Sequence, residues 1–235
     1  MWDSKMNNST ATRKPQHLAY KLGIMIGLLA LAILLLPAYD KFHVRGPMNS
    51  GHDTLKCESC HQEAPGSLRQ QIQANLRYAF GQREHLADFS HQAVSNENCL
   101  ACHERPNDRH PVYRFLEPRF LKARENLSPQ HCVSCHMEHK GQRVTRAEIG
   151  YCVNCHKKTK LRKDPLDVPH DRLIALKRWE SCLGCHDFHG NHIMKTKKMV
   201  GQIIPAENIR AYFRGGASPY GDDRHYKAKK EVNHD

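Results

Sequence analysis

The sequence is poor in the residues that fill an ordinary hydrophobic core. Aromatic residues make up only 7% of its 235 residues, and the mean hydropathy is −0.71. No region shows the alternating pattern of a strand-rich fold. We therefore expect a mostly α-helical fold with extensive coil. Side chains alone offer little apolar surface for its core.

Charged residues are absent from one N-terminal stretch, LGIMIGLLALAILLLPAY, which spans 22–39. Its length lies within the about 17–25 residues that cross a bilayer as a helix. Lys5, Arg13, Lys14 and Lys21 precede it, against one acid, Asp3. By the positive-inside rule, residues 1–21 are expected in the cytoplasm and the chain after the span is exported. A cleaved signal peptide and a buried core helix are the alternatives.

The sequence has ten cysteines, and all of them belong to five Cys-x-x-Cys-His motifs. The cysteine pairs are Cys57 and Cys60, Cys99 and Cys102, Cys132 and Cys135, Cys152 and Cys155, and Cys182 and Cys185. The histidines that follow are His61, His103, His136, His156 and His186. With no cysteine left over, a secreted disulfide framework is not the expected use of these thiols.

Three kinds of site use paired cysteines, and the recurring histidine distinguishes them. Zinc ribbons combine such pairs two by two and do not require histidine next. A redox-active pair normally occurs once, beside a βαβ pattern. Cys-x-x-Cys-His is the attachment motif of c-type haem, in which the thiols form thioethers and the histidine binds the iron. We therefore predict five covalently attached haem c groups, which also supply buried apolar surface.

Two motifs continue as CHMEH and CHDFH, and with them the chain resembles the multihaem c-type cytochromes, in particular the class III-like kinds with two histidines on each iron. The resemblance extends from His52 to His192. We expect a multihaem domain over 40–192. After the last motif the sequence is polar and basic with few core residues, which predicts a basic C-terminal tail over 193–235. The anchor and haem domain together also resemble, in layout, quinol-dehydrogenase cytochromes of the NapC/NirT type. The first motif, CESCHQEA, departs from them because it lacks Cys-x-x-Cys-His-x-Met.

The same resemblance implies a distal histidine for each iron. The CHxxH offset favours His139 and His189, and histidines that shortly precede a motif favour His52, His91 and His170. His110 and His192 are the reserve candidates. His131 directly precedes Cys132 and is expected not to be a ligand. A methionine ligand, or one iron with an open position, stays an alternative.

These features predict an electron carrier rather than an enzyme. The expected location is the bacterial inner membrane, with the haem domain on the periplasmic side. The membrane quinol pool or an integral respiratory complex would be the donor, and a periplasmic redox protein the acceptor. The alternative is a multihaem reductase with one open haem that acts on a small nitrogen or sulfur compound. The net charge of +12 is assigned to neutralising haem propionates, so no nucleic-acid partner is expected.

Three stretches have a helical pattern. SLRQQIQANLRYAFGQREHL follows a serine cap, HDRLIALKRWESCLGCH leads into the last motif, and PAENIRAYFRGG begins with proline and ends at two glycines. Each predicts one helix.

Overall fold

The computed structural model describes residues 13–34 and 46–229. The chain divides into two units, Met1–Gly46 and Pro47–Asp235. Four parts of the predicted domains lie outside the described residues: positions 1–12 of the cytoplasmic segment, 35–39 of the anchor, 40–45 of the haem domain and 230–235 of the tail.

The first unit contains one long helix, α1, which spans Arg13–Leu34. Within it, Gln16–Ile33 forms an 18-residue window of mean hydropathy 1.5. Its described side chains are exposed, as expected of a helix whose apolar surface has no protein partner. The helix therefore has the length and composition of a membrane-spanning helix, properties that a signal sequence shares.

The second unit consists of short helices joined by coil. Its α-helices are α2 (Leu68–Ala79), α3 (Asn96–Cys102), α4 (Leu121–Leu127), α5 (Val153–His156), α6 (His170–Ala175), α7 (Cys182–Cys185) and α8 (Ala206–Phe213). Short 3-10 turns lie at Cys57–Ser59, Val112–Leu116, Pro118–Phe120, Cys132–Ser134, Trp179–Ser181 and Val200–Gln202. Residues 46–229 form no β-strand, only two isolated antiparallel bridges. The prediction of a mostly α-helical fold with much coil is confirmed.

Two of the three predicted helices are confirmed. Ser67 caps α2 through a capping box. Its backbone N–H donates to the Gln70 side-chain oxygen at 2.8 Å, and its hydroxyl accepts from the Gln70 backbone N–H. α8 begins directly after Pro205 and ends before two glycines. The prediction of one helix over HDRLIALKRWESCLGCH is wrong. The segment forms two separate helices, α6 and α7, because Lys177 adopts a left-handed conformation with φ of 57°.

The apolar core is small and lies in the C-terminal part of the second unit. Its fully buried members are Ile149 and Ile209, and Leu183, Phe213 and Tyr220 pack with them. The Tyr220 hydroxyl donates to the Leu183 carbonyl at 3.0 Å. Three of these five residues belong to the segment that the sequence predicts as a basic tail. That segment is therefore part of the core and folds against the last motif.

Candidate haem-binding sites

All five Cys-x-x-Cys-His motifs share one backbone feature. In each, the histidine N–H donates to the carbonyl of the first cysteine, four residues earlier, at 2.8–2.9 Å. Residues three and four apart lie on the same face of a helical turn. The turn therefore presents both thiols and the imidazole on one side. All ten cysteines are free thiols, so none is committed to a disulfide.

Each motif histidine has another imidazole nearby, at a nearly constant distance. The ring centres lie 5.8 Å apart for His103 and His52, 6.2 Å for His136 and His189, 6.0 Å for His156 and His110, and 6.3 Å for His186 and His170. His61 has two such neighbours, His91 at 5.9 Å and His139 at 6.4 Å. In each pair, one histidine belongs to a motif and the other comes from elsewhere in the chain.

This distance fits a shared metal ion better than direct contact. Two imidazoles that each place a nitrogen about 2 Å from one metal ion have ring centres about 6 Å apart. Rings joined by a direct hydrogen bond of about 2.9 Å would have centres about 5 Å apart. The donor set also fits c-type haem, since two thiols accompany one imidazole of each pair. The motif and its partner histidine can thus hold a covalent haem with two nitrogen ligands on the iron.

Carboxylates orient three of the partner histidines. Their Nδ1 atoms lie 2.9 Å from a carboxylate oxygen in the pairs His52–Glu138, His170–Asp164 and His189–Asp108. A neutral imidazole that donates its Nδ1–H keeps the Nε2 lone pair free, which fixes the tautomer for ligation through Nε2. The Nδ1 of His110 donates instead to the Phe188 carbonyl. These contacts supply the outer-shell support typical of metal-ligating histidines.

Burial lowers the pKa of four of the paired imidazoles, those of His103, His110, His136 and His186. It lowers the pKa of His103 to about 4, with a smaller contribution from the nearby His52. Burial also lowers the pKa of His110, against the raising effect of its hydrogen bond to Phe188. A neutral imidazole is the form that binds a metal ion. A lowered pKa therefore favours the metal-binding form of these rings at neutral pH.

Neighbouring motifs come together in two groups. Interaction with the Cys132 thiol raises the pKa of Cys99, while the pKa of Cys132 falls to about 7. The Cys152 and Cys182 thiols interact in the same way, which raises the pKa of Cys152 and lowers that of Cys182. Thiols of the second and third motifs therefore adjoin, and so do thiols of the fourth and fifth.

Side chains from outside the motifs hold these groups. Asn96 joins the second and third motifs, because its amide donates to the Gln130 carbonyl at 2.7 Å and its oxygen accepts from the Cys132 N–H at 2.9 Å. Phe188 lies between the partner histidines of the third and fourth motifs. Its ring centre is 4.3 Å from that of His110, the partner of His156, and 5.0 Å from that of His189, the partner of His136.

The structure distributes the predicted distal histidines unevenly. His52, His170 and His189 each lie beside a different motif histidine, whereas His91 and His139 both lie beside His61. The imidazole beside His156 belongs to His110, which the sequence ranks only as a reserve. No local spacing marks His110, because it precedes its partner by 46 positions.

Two other histidines considered as ligands, His192 and His131, do not lie beside a motif histidine. His192, the second reserve, is buried against Asp187 and packs near Tyr220 rather than beside a motif histidine. His131 is exposed. Neither contributes to the pairs described above.

The paired motifs have the arrangement expected of a multihaem c-type cytochrome. A family model described as Cytochrome c3 matches residues 82–157, about a third of the chain. The matched segment contains the second, third and fourth motifs. No curated protein matches the chain, and no solved structure does. The family match indicates covalently bound haem c and electron transfer through several haems.

Proposed function

We propose that the chain is a membrane-anchored, exported pentahaem cytochrome. In this proposal it relays electrons from a membrane donor, either quinol or an integral respiratory complex, to a periplasmic redox protein. One observation carries the proposal. Each of the five motif histidines has a second imidazole beside it, with ring centres 5.8–6.4 Å apart.

The anchoring part of the proposal rests on α1. This helix contains an 18-residue window, Gln16–Ile33, of mean hydropathy 1.5. Three of its basic residues, Arg13, Lys14 and Lys21, lie toward its N-terminal end. That charge distribution supports a cytoplasmic N-terminus and a periplasmic haem domain. All ten cysteines are free thiols. Covalent attachment of five haems would convert them to thioethers, so that the exported domain would carry no free thiol.

The protein residues would hold the haems in position and tune their reduction potentials. Haem iron, when bound, supplies reversible one-electron chemistry. The cysteines would fix the position of each haem, and the motif histidine with its partner imidazole would supply two nitrogen ligands to its iron. Ligation by two histidines lacks the methionine that raises the potential in other c-type cytochromes, so low potentials are expected. The adjoining thiols of Cys99 and Cys132, and of Cys152 and Cys182, support close spacing within each group.

For the distal set we propose His139, His52, His189, His110 and His170, in the order of the five motifs. His139 is chosen at the first motif because it repeats the offset of His189. In both CHxxH elements, the final histidine then serves the motif two positions earlier in the chain. Its ring is also nearly parallel to that of His61, at 20°, and half-buried.

Carbon monoxide tests the relay against the reductase alternative, because it binds reduced haem iron that has an open axial position. The dithionite-reduced, full-length protein should bind no carbon monoxide. Nitrite or hydroxylamine should reoxidise it no faster than they reoxidise a control cytochrome in which every haem iron has two histidine ligands. One bound carbon monoxide per chain, together with rapid reoxidation by nitrite, would contradict the relay. Retention in the membrane after alkaline carbonate washing tests the anchor.

A further inference from the structure

The first motif differs from the other four in having two candidate imidazoles. His61 lies 5.9 Å from His91 and 6.4 Å from His139, measured between ring centres. A haem iron held by His61 would take one further imidazole. His91 and His139, from different parts of the chain, are both placed beside His61 to supply it.

Separate tethers hold the two imidazoles in place. His91 forms an antiparallel bridge with Glu63, directly after the first motif, and Ala64 N–H donates to the Ser90 carbonyl at 2.9 Å. His139 belongs to the loop after the third motif. There the Lys140 N–H donates to the Asn49 side chain at 3.1 Å. Movement of one histidine away from His61 does not require movement of the other.

The outer-shell contacts of the pair are weak compared with those of the other sites. His139 Nδ1 is buried and has no hydrogen-bond partner in the described part of the chain. His91 is exposed, and its Nδ1 lies 3.0 Å from the Ser90 hydroxyl. Neither has the carboxylate that orients His52. An imidazole without such a partner is a less basic and less firmly oriented ligand.

We propose that His91 and His139 are alternative axial ligands for the iron held by His61, so that this one site can exchange its distal imidazole. The inference rests on the proposed haem function. It deepens that function by making the first motif the exchangeable site, whereas residues 46–229 place a single partner imidazole beside each of the other four motif histidines. Exchange between imidazoles with different support would give the first site two potentials in one protein.

Single and double substitutions in the holoprotein test this directly, with carbon monoxide binding to the dithionite-reduced protein as the readout. His139→Ala and His91→Ala should each bind no carbon monoxide, because the remaining histidine takes the position. The double variant should bind one equivalent per chain. His189→Ala is the matched control. It removes the histidine at the same CHxxH offset, but the described residues place no second imidazole beside His136, so this variant should bind one equivalent.

Electron paramagnetic resonance of the oxidised variants gives a second readout. The rings of His61 and His139 are inclined by 20°, and those of His61 and His91 by 71°. One low-spin signal should therefore become more anisotropic in His139→Ala, since the remaining pair is closer to perpendicular. The same signal should stay near the parallel-ring type in His91→Ala.

One equivalent of carbon monoxide bound by either single variant would overturn the exchange proposal, because one histidine would then be the sole ligand. This result differs from failure of the pentahaem function, which would appear in the unsubstituted protein as an open haem or as fewer than five haems. If the double variant loses a haem, the comparison of His139→Ala with His189→Ala still decides, since only the control should bind carbon monoxide.

Discussion

The N-terminal and C-terminal parts of the second unit hold their histidine pairs by different means. Around the fifth motif, the chain has an apolar core that includes Ile149, Leu183 and Ile209. Between residues 46 and 110, the buried residues are Ala64 and two amides, Asn49 and Gln71. The comparison indicates that directional hydrogen bonds do in the first part what apolar packing does in the second.

Both buried amides act as multiple connectors. The Gln71 amide donates to the carbonyls of Ala64 and Gly66, and its oxygen accepts from the Ser90 N–H at 3.0 Å. Gln71 thus joins the segments that carry the first motif and His91, whereas Asn49 binds the loop after the third motif. Since buried polar groups cost free energy when unpaired, this part of the chain should depend strongly on each amide.

Removing apolar packing should have the largest effect on stability. Ile209 is fully buried in the C-terminal core, so Ile209→Ala should lower the free energy of unfolding by about 2–5 kcal/mol. Haem attachment should be retained, because Ile209 belongs to the apolar cluster and not to a Cys-x-x-Cys-His motif or a histidine pair. Guanidinium denaturation followed by circular dichroism measures the loss. Ile72→Ala, at a site 44% exposed on α2, is the matched control, and an equal loss there would contradict the contrast.

Removing a buried amide should come next. Asn49→Ala deletes the donor to the Met137 carbonyl at 2.9 Å and the acceptor for the Lys140 N–H. Each buried group left unpaired costs about 1–3 kcal/mol, so the total should approach that of the Ile209 substitution. Hydrogen exchange should rise first in the loop after the third motif. An unchanged exchange pattern there would show that Asn49 is not the connector inferred above.

Removing an outer-shell carboxylate should change a potential more than the stability. Asp108→Asn takes the negative charge from the Nδ1 side of His189 and leaves its ring in place. A less basic distal imidazole favours the reduced iron, so one of the five potentials should rise by tens of millivolts. Potentiometric titration resolves this, with the exposed Asp53→Asn as control. A fall in that potential would contradict the assigned orientation.

Removing the α2 cap should have the smallest effect. Ser67→Ala loses the capping box with Gln70 and should destabilise the protein by about 1 kcal/mol. Ser67→Asp should preserve most of the stability, because aspartate also caps helices well. The loss is expected in α2 alone, and thermal melting combined with local hydrogen exchange distinguishes it from a global effect.

Local features made much of this molecule predictable. The five motifs each encode their own turn, since the cysteines and histidine lie within five consecutive residues. The same is true of α2, whose cap and apolar spacing are adjacent in sequence. A break such as the one at Lys177 is less visible. Its left-handed backbone carries neither glycine nor asparagine, the usual signals for that conformation.

Long-range packing accounts for the features that the sequence did not reveal. His110 reaches His156 because its Nδ1 binds the Phe188 carbonyl, 78 positions away. The segment after the last motif looks polar and basic as a whole. It nevertheless places Ile209 and Phe213 in the core, because two apolar residues four positions apart suffice to bury one face of α8. Neither arrangement follows from spacing within a short window.

The most direct test of the account is the number and spin state of the haems in one purified chain. Pyridine haemochrome analysis against protein concentration, with intact mass, counts the covalent haems. Spin quantification by electron paramagnetic resonance then counts those with two strong axial ligands. The account predicts five covalent haems, all low-spin in the oxidised protein. Fewer than five haems, or a high-spin signal from one of them, would contradict it.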